Sequence, residues 1–533
     1  MNSLIKDYLT YAELAAAAYA HLQPGLEQGA IKLALRDEDT AEFTATQADD
    51  FIKAGYEIID QFESPTSGFS ATVFKKGGQY FFAIRGSTPF SSIISDWENF
   101  RLDWFGTNFG DIGGDGIAIK QALDMYNYFK RLTATQGVVL AQYRYDQASN
   151  RILTDYTTNN SQEAGKLASL NVAANIIVTG HSTGAHLANI LTRLVPDRIQ
   201  AAYAYSGPGL DTLTVPVAPP GSEGFFDLLS KAVPSGGGIV TSGWTSPSLP
   251  PVVNIGLNGD TIFNFGFMPY GRTSLYSEGE GGIIGVPHKI TLITDALRVY
   301  ELLSIIDSSR STADKAPELL SIGAGIFRAA TNIAENSLET AVKALAKVFN
   351  QTLPVALNTD NRDELHQATN FLKGIFLDAQ GNLKASYQGL TLTSLVGVSE
   401  STIASNASGL TAAYRYALRE LNPFVITGND SIYTPHNTGG VLEIANFTEK
   451  YLADRTAVLV HVLRRNIQDI PNGLLLPGGE AQFIEDRQLG ISFTLTAGST
   501  NTQIIFGKDT DDAGASALTG GAGADRLYGG FIG

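Results

Sequence analysis

Apolar residues in the first three hundred positions fall into two kinds of pattern. Short consecutive runs occur at Ser70–Phe74, Gln79–Gly86, Asn175–Gly180, Arg198–Ser206 and Val252–Gly256. Runs of this length, apolar on successive positions, predict strands buried on both faces. Between and around them, apolar residues recur at helical spacing. Leu9, Tyr11, Leu14, Ala17 and Ala18 share one face near the N-terminus, and Ala118, Ala122, Met125 and Phe129 share another within Ile117–Leu132. Helices are also predicted at Ala48–Ala54, Phe225–Ala232 and Ile290–Ile306. Lys75-Lys76-Gly77-Gly78 joins the first two strands as a hairpin turn. Gly137–Tyr145 reads as a strand, Leu22–Phe62 as mixed and polar, and Asp146–Ser169 as a polar insertion with a short helix. Strands alternating with helices predict an α/β fold with a mostly parallel sheet covered by helices on both faces.

The pattern changes along the chain. Residues 1–310 form the expected α/β domain, with the Gly-, Pro- and Ser-rich insert 207–251 as a candidate lid. Residues 311–470 are mainly helical, with helices expected at Ala316–Phe349, Asp363–Ile375, Leu410–Leu421 and Glu449–Arg465. Residues 471–533 are β-rich. A chain of 533 residues is too long for one core, which agrees with several domains. Charge and composition narrow the partners. A net charge of -16 argues against nucleic acid or an anionic membrane as an electrostatic partner. Cysteine is absent, which excludes disulfides, a thiolate nucleophile and a cysteine–zinc site. No apolar run is long enough to predict a transmembrane segment. Asp7 and Glu13 interrupt the N-terminal apolar stretch, so no cleaved signal peptide is expected.

One stretch carries chemistry. The run ending at Val178 passes through Gly180-His181-Ser182-Thr183-Gly184 into a helical pattern. This is G-x-S-x-G in the strand–turn–helix setting that exposes a serine hydroxyl at the carboxyl end of a strand. A serine needs a base, and histidine suits the task at neutral pH. Of the seven histidines, His21 precedes the first strand, and His366, His436 and His461 lie beyond the α/β domain. His181 is expected to point away from Ser182, and His186 to pack or face solvent. His288, after the last strand and before a helix, is the expected base. Asp260 follows a strand and gives the chain order Ser…Asp…His; Asp211, after the preceding strand, is the alternative acid. Either aspartate could instead cap a turn. The expected oxyanion donors are the backbone N–H groups of Thr183 and Ser87. The Pro89–Gly114 segment, rich in large aromatics, is a candidate for acyl-chain contact, though half of those rings are expected to be core.

Phe82-Ala83-Ile84-Arg85-Gly86-Ser87 with Ser95-Asp96-Trp97 resembles the F-R-G-T…D-W region of bacterial and fungal-type lipases, with Ser87 where Thr is usual. Gly180–Gly184 matches their G-H-S-x-G elbow. Gly520–Tyr528 fits the G-G-x-G-x-D-x-L-x nonapeptide of RTX proteins, with Asp525 as its metal-ligand position. Together these resemble secreted lipases and phospholipases of the α/β-hydrolase superfamily carrying RTX tails. The resemblance implies a lipid or other ester substrate met at a lipid–water interface, an extracellular location with type I-like secretion, and structural Ca²⁺. The chemistry itself needs no cofactor. The nonapeptide occurs once and is cut short at Gly529–Gly533, which reads as a truncated chain; a lone repeat is expected to be nearly unstructured and to bind calcium poorly. Expected alternatives are an RTX-linked interaction or toxin module using the fold as a scaffold, a polyesterase and an acyltransferase.

Overall fold

A computed structural model describes residues 3–86, 118–168, 175–210, 222–233, 239, 249–260, 263, 271–276, 288–330, 337–358, 361–409, 411–467, 483–494, 502–508, 518–520 and 524–529. The chain divides into two compact units. The first comprises Lys6–Leu275 and Gly282–Leu297; the second comprises Met1–Ile5, Tyr276–Gly281 and Arg298–Gly533.

The first unit opens with α1 (Leu4–Ala17), α2 (Gln28–Leu35) and α3 (Ala45–Ala54), then β1 (Glu57–Glu63), β2 (Ser70–Lys76) and β3 (Gln79–Ile84). After α4 (Ile119–Thr133) comes the hairpin β4 (Val139–Asp146) and β5 (Arg151–Thr158). Next are β6 (Ile176–His181), α5 (Thr183–Leu194), β7 (Ile199–Tyr205), α6 (Ser222–Ala232), β8 (Val252–Leu257), β9 (Thr273–Leu275) and α7 (Ile290–Ile306), which belongs to this unit as far as Leu297. The central sheet runs β1-β2-β3-β6-β7-β8-β9. Its first three strands are antiparallel, and every pairing from β3 to β9 is parallel. The mixed α/β architecture with a mostly parallel central sheet is therefore present. Two segments depart from expectation. Leu22–Phe62 contains α2 and the edge strand β1, and Asp146–Ser169 contains β5, a strand where a short helix is expected. Both strands are largely exposed on one side, so their polar residues hide the strand pattern.

The consecutive apolar runs are explained by period-two alternation. Tyr80, Phe82 and Ile84 of β3, with Ile176 and Val178 of β6, face a core built with Tyr128 and Phe129 of α4 and Leu187, Ile190 and Leu191 of α5. The intervening residues meet α1. Thr179 Oγ1 donates to the Tyr11 carbonyl at 2.8 Å, Tyr205 OH donates to the Tyr8 carbonyl at 2.6 Å, and the Tyr11 and Tyr203 rings lie 4.3 Å apart. Helix α6, within the 207–251 insert, belongs to the first core. Phe225, Phe226 and Leu229 are fully buried, each worth about 1.5–3 kcal/mol of transfer free energy. The guanidinium of the buried Arg193 sits 3.8 Å from the Phe226 ring centroid. Residues 211–221, 234–238 and 240–248 of that insert lie outside the described residues, as does the aromatic Pro89–Gly114 segment.

The second unit contains α8 (Ala316–Ala330), α9 (Ser337–Val348), α10 (Arg362–Phe376), β10 (Thr391–Ser394), α11 (Glu400–Ala407), α12 (Ala412–Glu420), β11 (Phe424–Thr427) and α13 (Glu449–Ile467). It also contains β12 (Phe483–Asp486), β13 (Ile491–Thr494), β14 (Gln503–Phe506) and β15 (Arg526–Tyr528). Strands β12, β14 and β15 are mutually parallel, and their registers align Asp486, Phe506 and Tyr528 in one row. That row seats on α13. Arg455 pairs with Asp486 at 2.5 Å and covers the Phe506 ring at 4.6 Å, while Tyr528 OH donates to Asp454 at 2.5 Å. Within the nonapeptide, Arg526–Tyr528 forms β15, which pairs with β14 and is anchored on α13, and residues 521–523 lie outside the described residues. Among the described residues no helix is long and apolar enough to cross a membrane.

The Arg455–Asp486 pair is 3% and 1% exposed at its side chains, so removing one partner leaves a buried charge without compensation. Arg455→Met should cost about 3–5 kcal/mol in urea unfolding, and Arg455→Met with Asp486→Leu should recover most of that loss. Equal destabilisation in single and double variants would contradict this account.

Candidate active site

The turn between β6 and α5 is made by two close approaches. A Cβ on Gly180 would overlap the Gly184 carbonyl, and one on Gly184 would overlap the Ile84 carbonyl at the end of β3. Glycine at both positions lets the elbow sit directly on the neighbouring strand. Ser182 between them takes φ 58°, ψ −126°, a backbone state that L-residues adopt only when their surroundings enforce it. Its N–H donates to the Tyr205 carbonyl at 2.9 Å, and its own carbonyl accepts the N–H groups of Ala185 and His186 as the helix begins. The serine is thus held by β7 on one side and by α5 on the other.

His288 and Asp260 meet the serine there. The His288 Nε2 lies 2.9 Å from Ser182 Oγ, and its Nδ1 lies 3.1 and 3.2 Å from the two oxygens of Asp260. All three residues are buried. Asp260 directly follows β8 by a two-residue turn, and its Oδ1 also accepts the Phe263 N–H at 3.2 Å. Burial pushes the Asp260 carboxyl up, but the adjacent His288 and the hydrogen bonds that Asp260 receives outweigh it and hold it below its ordinary value. An ionised Asp260 accepts only, so His288 donates from Nδ1 and presents the Nε2 lone pair to the serine hydroxyl. In this state an imidazole can take a serine proton during attack and return it to a leaving group.

Of the remaining expected site residues, Thr183 opens α5 and is buried, with its N–H in the first turn at the positive end of the helix dipole. Ser87 and Asp211 lie outside the described residues. Arg85, two residues before Ser87, is tied back to Glu63 of β1 at 2.6 Å. Asp525 Oδ1 accepts the Gln503 N–H at 2.8 Å, and residues 521–523 of the same nonapeptide lie outside the described residues.

Two side chains with a place in the site were not legible as such. His181 is buried and bonded on both ring nitrogens, to Tyr19 OH at 2.8 Å and to the His288 carbonyl at 2.7 Å. Its direction follows from Ile177 and Thr179, four and two residues earlier on the α1-facing side of β6, so the alternation could have placed it. Tyr19, just past α1, had no such signal. His186 packs as expected: it is fully buried, accepting the Ala118 N–H at Nε2 and lying 3.3 Å from the Gly209 carbonyl at Nδ1.

No protein-family model matches the chain, and no curated protein does. Among solved structures it is similar to lipase II from Rhizopus niveus, at 12% identity and a TM-score of 0.20, over 51% of this chain and 79% of that one. The likeness is too slight to add to the geometry of the site.

A methyl group at Gly184 meets backbone, which cannot move aside cheaply. Gly184→Ala should cost about 1–3 kcal/mol in thermal unfolding. Gly374→Ala, at an exposed helical position of α10 with open space for Cβ, should instead be neutral or stabilise by up to about 1 kcal/mol.

Proposed function

We propose that the chain is a serine carboxyl-ester hydrolase of the α/β-hydrolase type, acting on lipid esters through an acyl-enzyme on Ser182. The observation that carries this reading is the buried file Ser182 Oγ, His288 Nε2, His288 Nδ1 and Asp260, with contacts of 2.9 Å and 3.1 Å. In it Ser182 is the nucleophile and His288 the general base, later the acid that protonates the departing alcohol. Asp260 fixes the imidazole tautomer and stabilises its charged form. The Thr183 N–H is one oxyanion donor, and the Ser87 N–H is the second. Each such donor typically lowers the barrier by about 3–4 kcal/mol.

The order of the parts supports the same reading. The nucleophile follows β6, the acid follows β8 and the histidine precedes α7, all at the carboxyl side of the parallel strands. The choice of lipid esters rests on the resemblance of Phe82–Ser87, Ser95–Trp97 and Gly180–Gly184 to lipases, and on the aromatic segment Pro89–Gly114. Lipase, phospholipase and polyesterase activities are separated by a panel of triacylglycerols, phospholipids and polyesters, run with and without Ca²⁺.

Ser182→Ala should lower hydrolysis of a short p-nitrophenyl ester by roughly 10⁴–10⁶-fold and abolish labelling by a fluorophosphonate. Unlabelled wild type would leave the fold as a scaffold for another role. Asp260→Asn should lower kcat by about 10⁴-fold, since the neutral amide favours the wrong tautomer. The depressed Asp260 carboxyl has an effect in acid. Its contribution to folding stability is present above the unfolded carboxyl range and is lost as pH falls through the lower, folded value.

A further inference from the structure

The elbow histidine and the tyrosine behind it form a second hydrogen-bonded file beside the first. The Gly86 N–H, at the exit of β3, donates to Tyr19 OH at 3.2 Å. Tyr19 OH lies 2.8 Å from His181 Nδ1, and His181 Nε2 lies 2.7 Å from the His288 carbonyl. The proton positions follow from what each atom can do. An amide N–H only donates, so the Tyr19 oxygen accepts it and its own proton goes to His181 Nδ1. A carbonyl only accepts, so His181 carries its proton on Nε2. One arrangement satisfies every atom, and it fixes His181 as a neutral imidazole with a single tautomer. Burial, with His288 close by, lowers the His181 pKa to about 3, which agrees with that state. Burial likewise pushes the Tyr19 phenol up, so it keeps its proton.

We propose that Tyr19 and His181 are positioning residues for the serine hydrolase described above, holding the His288 backbone so that its ring meets Ser182 and keeping a neutral imidazole beside the base. The inference rests on that functional reading. Two consecutive residues of the elbow grip His288 at two points: His181 bonds its backbone carbonyl and Ser182 bonds its ring. Position and orientation of the base are thereby tied to the nucleophile's own dipeptide. The second part of the role is electrostatic. The His181 and His288 rings are 5.0 Å apart, and a charge on His181 would oppose formation of the His288 imidazolium during acyl transfer. The Tyr19 hydroxyl, donating to Nδ1, occupies the atom where a second proton would bind. Gly86 completes the file: a Cβ there would collide with Tyr19 OH, the His181 carbonyl and Ser182 Cβ, so only glycine lets the strand end approach all three.

The alternative is that the file is ordinary packing, needed for folding and indifferent to the rate. The two are separated by measuring kcat per active serine, with the active fraction counted by fluorophosphonate stoichiometry. Tyr19→Phe and His181→Leu should each lower kcat per labelled serine by about 10–100-fold, the scale of a misplaced catalytic group, with KM changed by less than about 2-fold. His181→Gln keeps a donor within reach of the His288 carbonyl and should return kcat to within about 5-fold of wild type. Nitrogen-15 NMR of the wild type gives a readout independent of activity. His181 should show the Nε2–H tautomer and no titration between about pH 5 and 8. Wild-type kcat per labelled serine in both Tyr19→Phe and His181→Leu, or a proton on Nδ1 of His181, would overturn the proposal. If His181→Leu does not fold, the near-isosteric Tyr19→Phe decides by the same count of kcat per labelled serine. A wild type that never labels at Ser182 with the expected His181 tautomer would refute the hydrolase reading and leave the file as a structural fact.

Discussion

The constraint on which the first unit depends is the contact between the start of α5 and the end of β3. Gly184 lies against the Ile84 carbonyl with no space for a side chain, and Gly180 lies against Gly184 in the same way. This forces the chain through a turn so sharp that Ser182 is held at a positive φ. Backbone strain of this kind costs of order 1–3 kcal/mol and persists only where the surroundings impose it. Here the surroundings are two parallel strands, a hydrogen bond from the Ser182 N–H to β7, and a helix whose apolar face is wholly buried. The strain aims the hydroxyl, and the packing of the sheet sustains the strain.

Burial of the polar residues follows from the same geometry. With Ser182, His181, His288 and Asp260 all removed from water, each donor and acceptor needs a partner inside the protein, because an unsatisfied buried group costs about 1–3 kcal/mol. The partners come from every element that reaches the elbow: β7 through the Tyr205 carbonyl, the segment after β8 through the Phe263 N–H, and the segment after α1 through Tyr19. The alignment of Ser182, His288 and Asp260 and the satisfaction of buried polar groups therefore impose one and the same set of contacts on the site.

Much of this was legible from the residues. The G-x-S-x-G motif between an apolar run and a helical pattern located the elbow, and chain order singled out His288. The strand-end position of Asp260 favoured it over Asp211, and the structure brings Asp260 to the His288 ring. What escaped did so for physical reasons. Strands β1 and β5 are half-exposed, so their side chains are polar wherever they meet water and their pattern is diluted. The link between Tyr19 and His181 spans more than 160 positions, and no local propensity encodes it. Strand β15 escaped for another reason: the partners of Arg526–Tyr528 are a strand of unrelated sequence and a helix, which the nonapeptide itself does not encode.

That last feature bears on how the second unit tolerates change. The strands β12, β14 and β15 are each marked by one residue that reads a side chain of α13 or lies beside it: Asp486, Phe506 and Tyr528. Register is therefore set by a fixed ruler lying across the strands, not by the turns that join them. In a hairpin, lengthening the turn shifts the pairing; here, the joining segments only have to reach. The entropic cost of closing a longer loop rises by only about 0.6 kcal/mol for each doubling of its length. Insertions between these strands can thus accumulate while the sheet keeps its alignment, and the helix, not the connecting sequence, is where the arrangement is recorded.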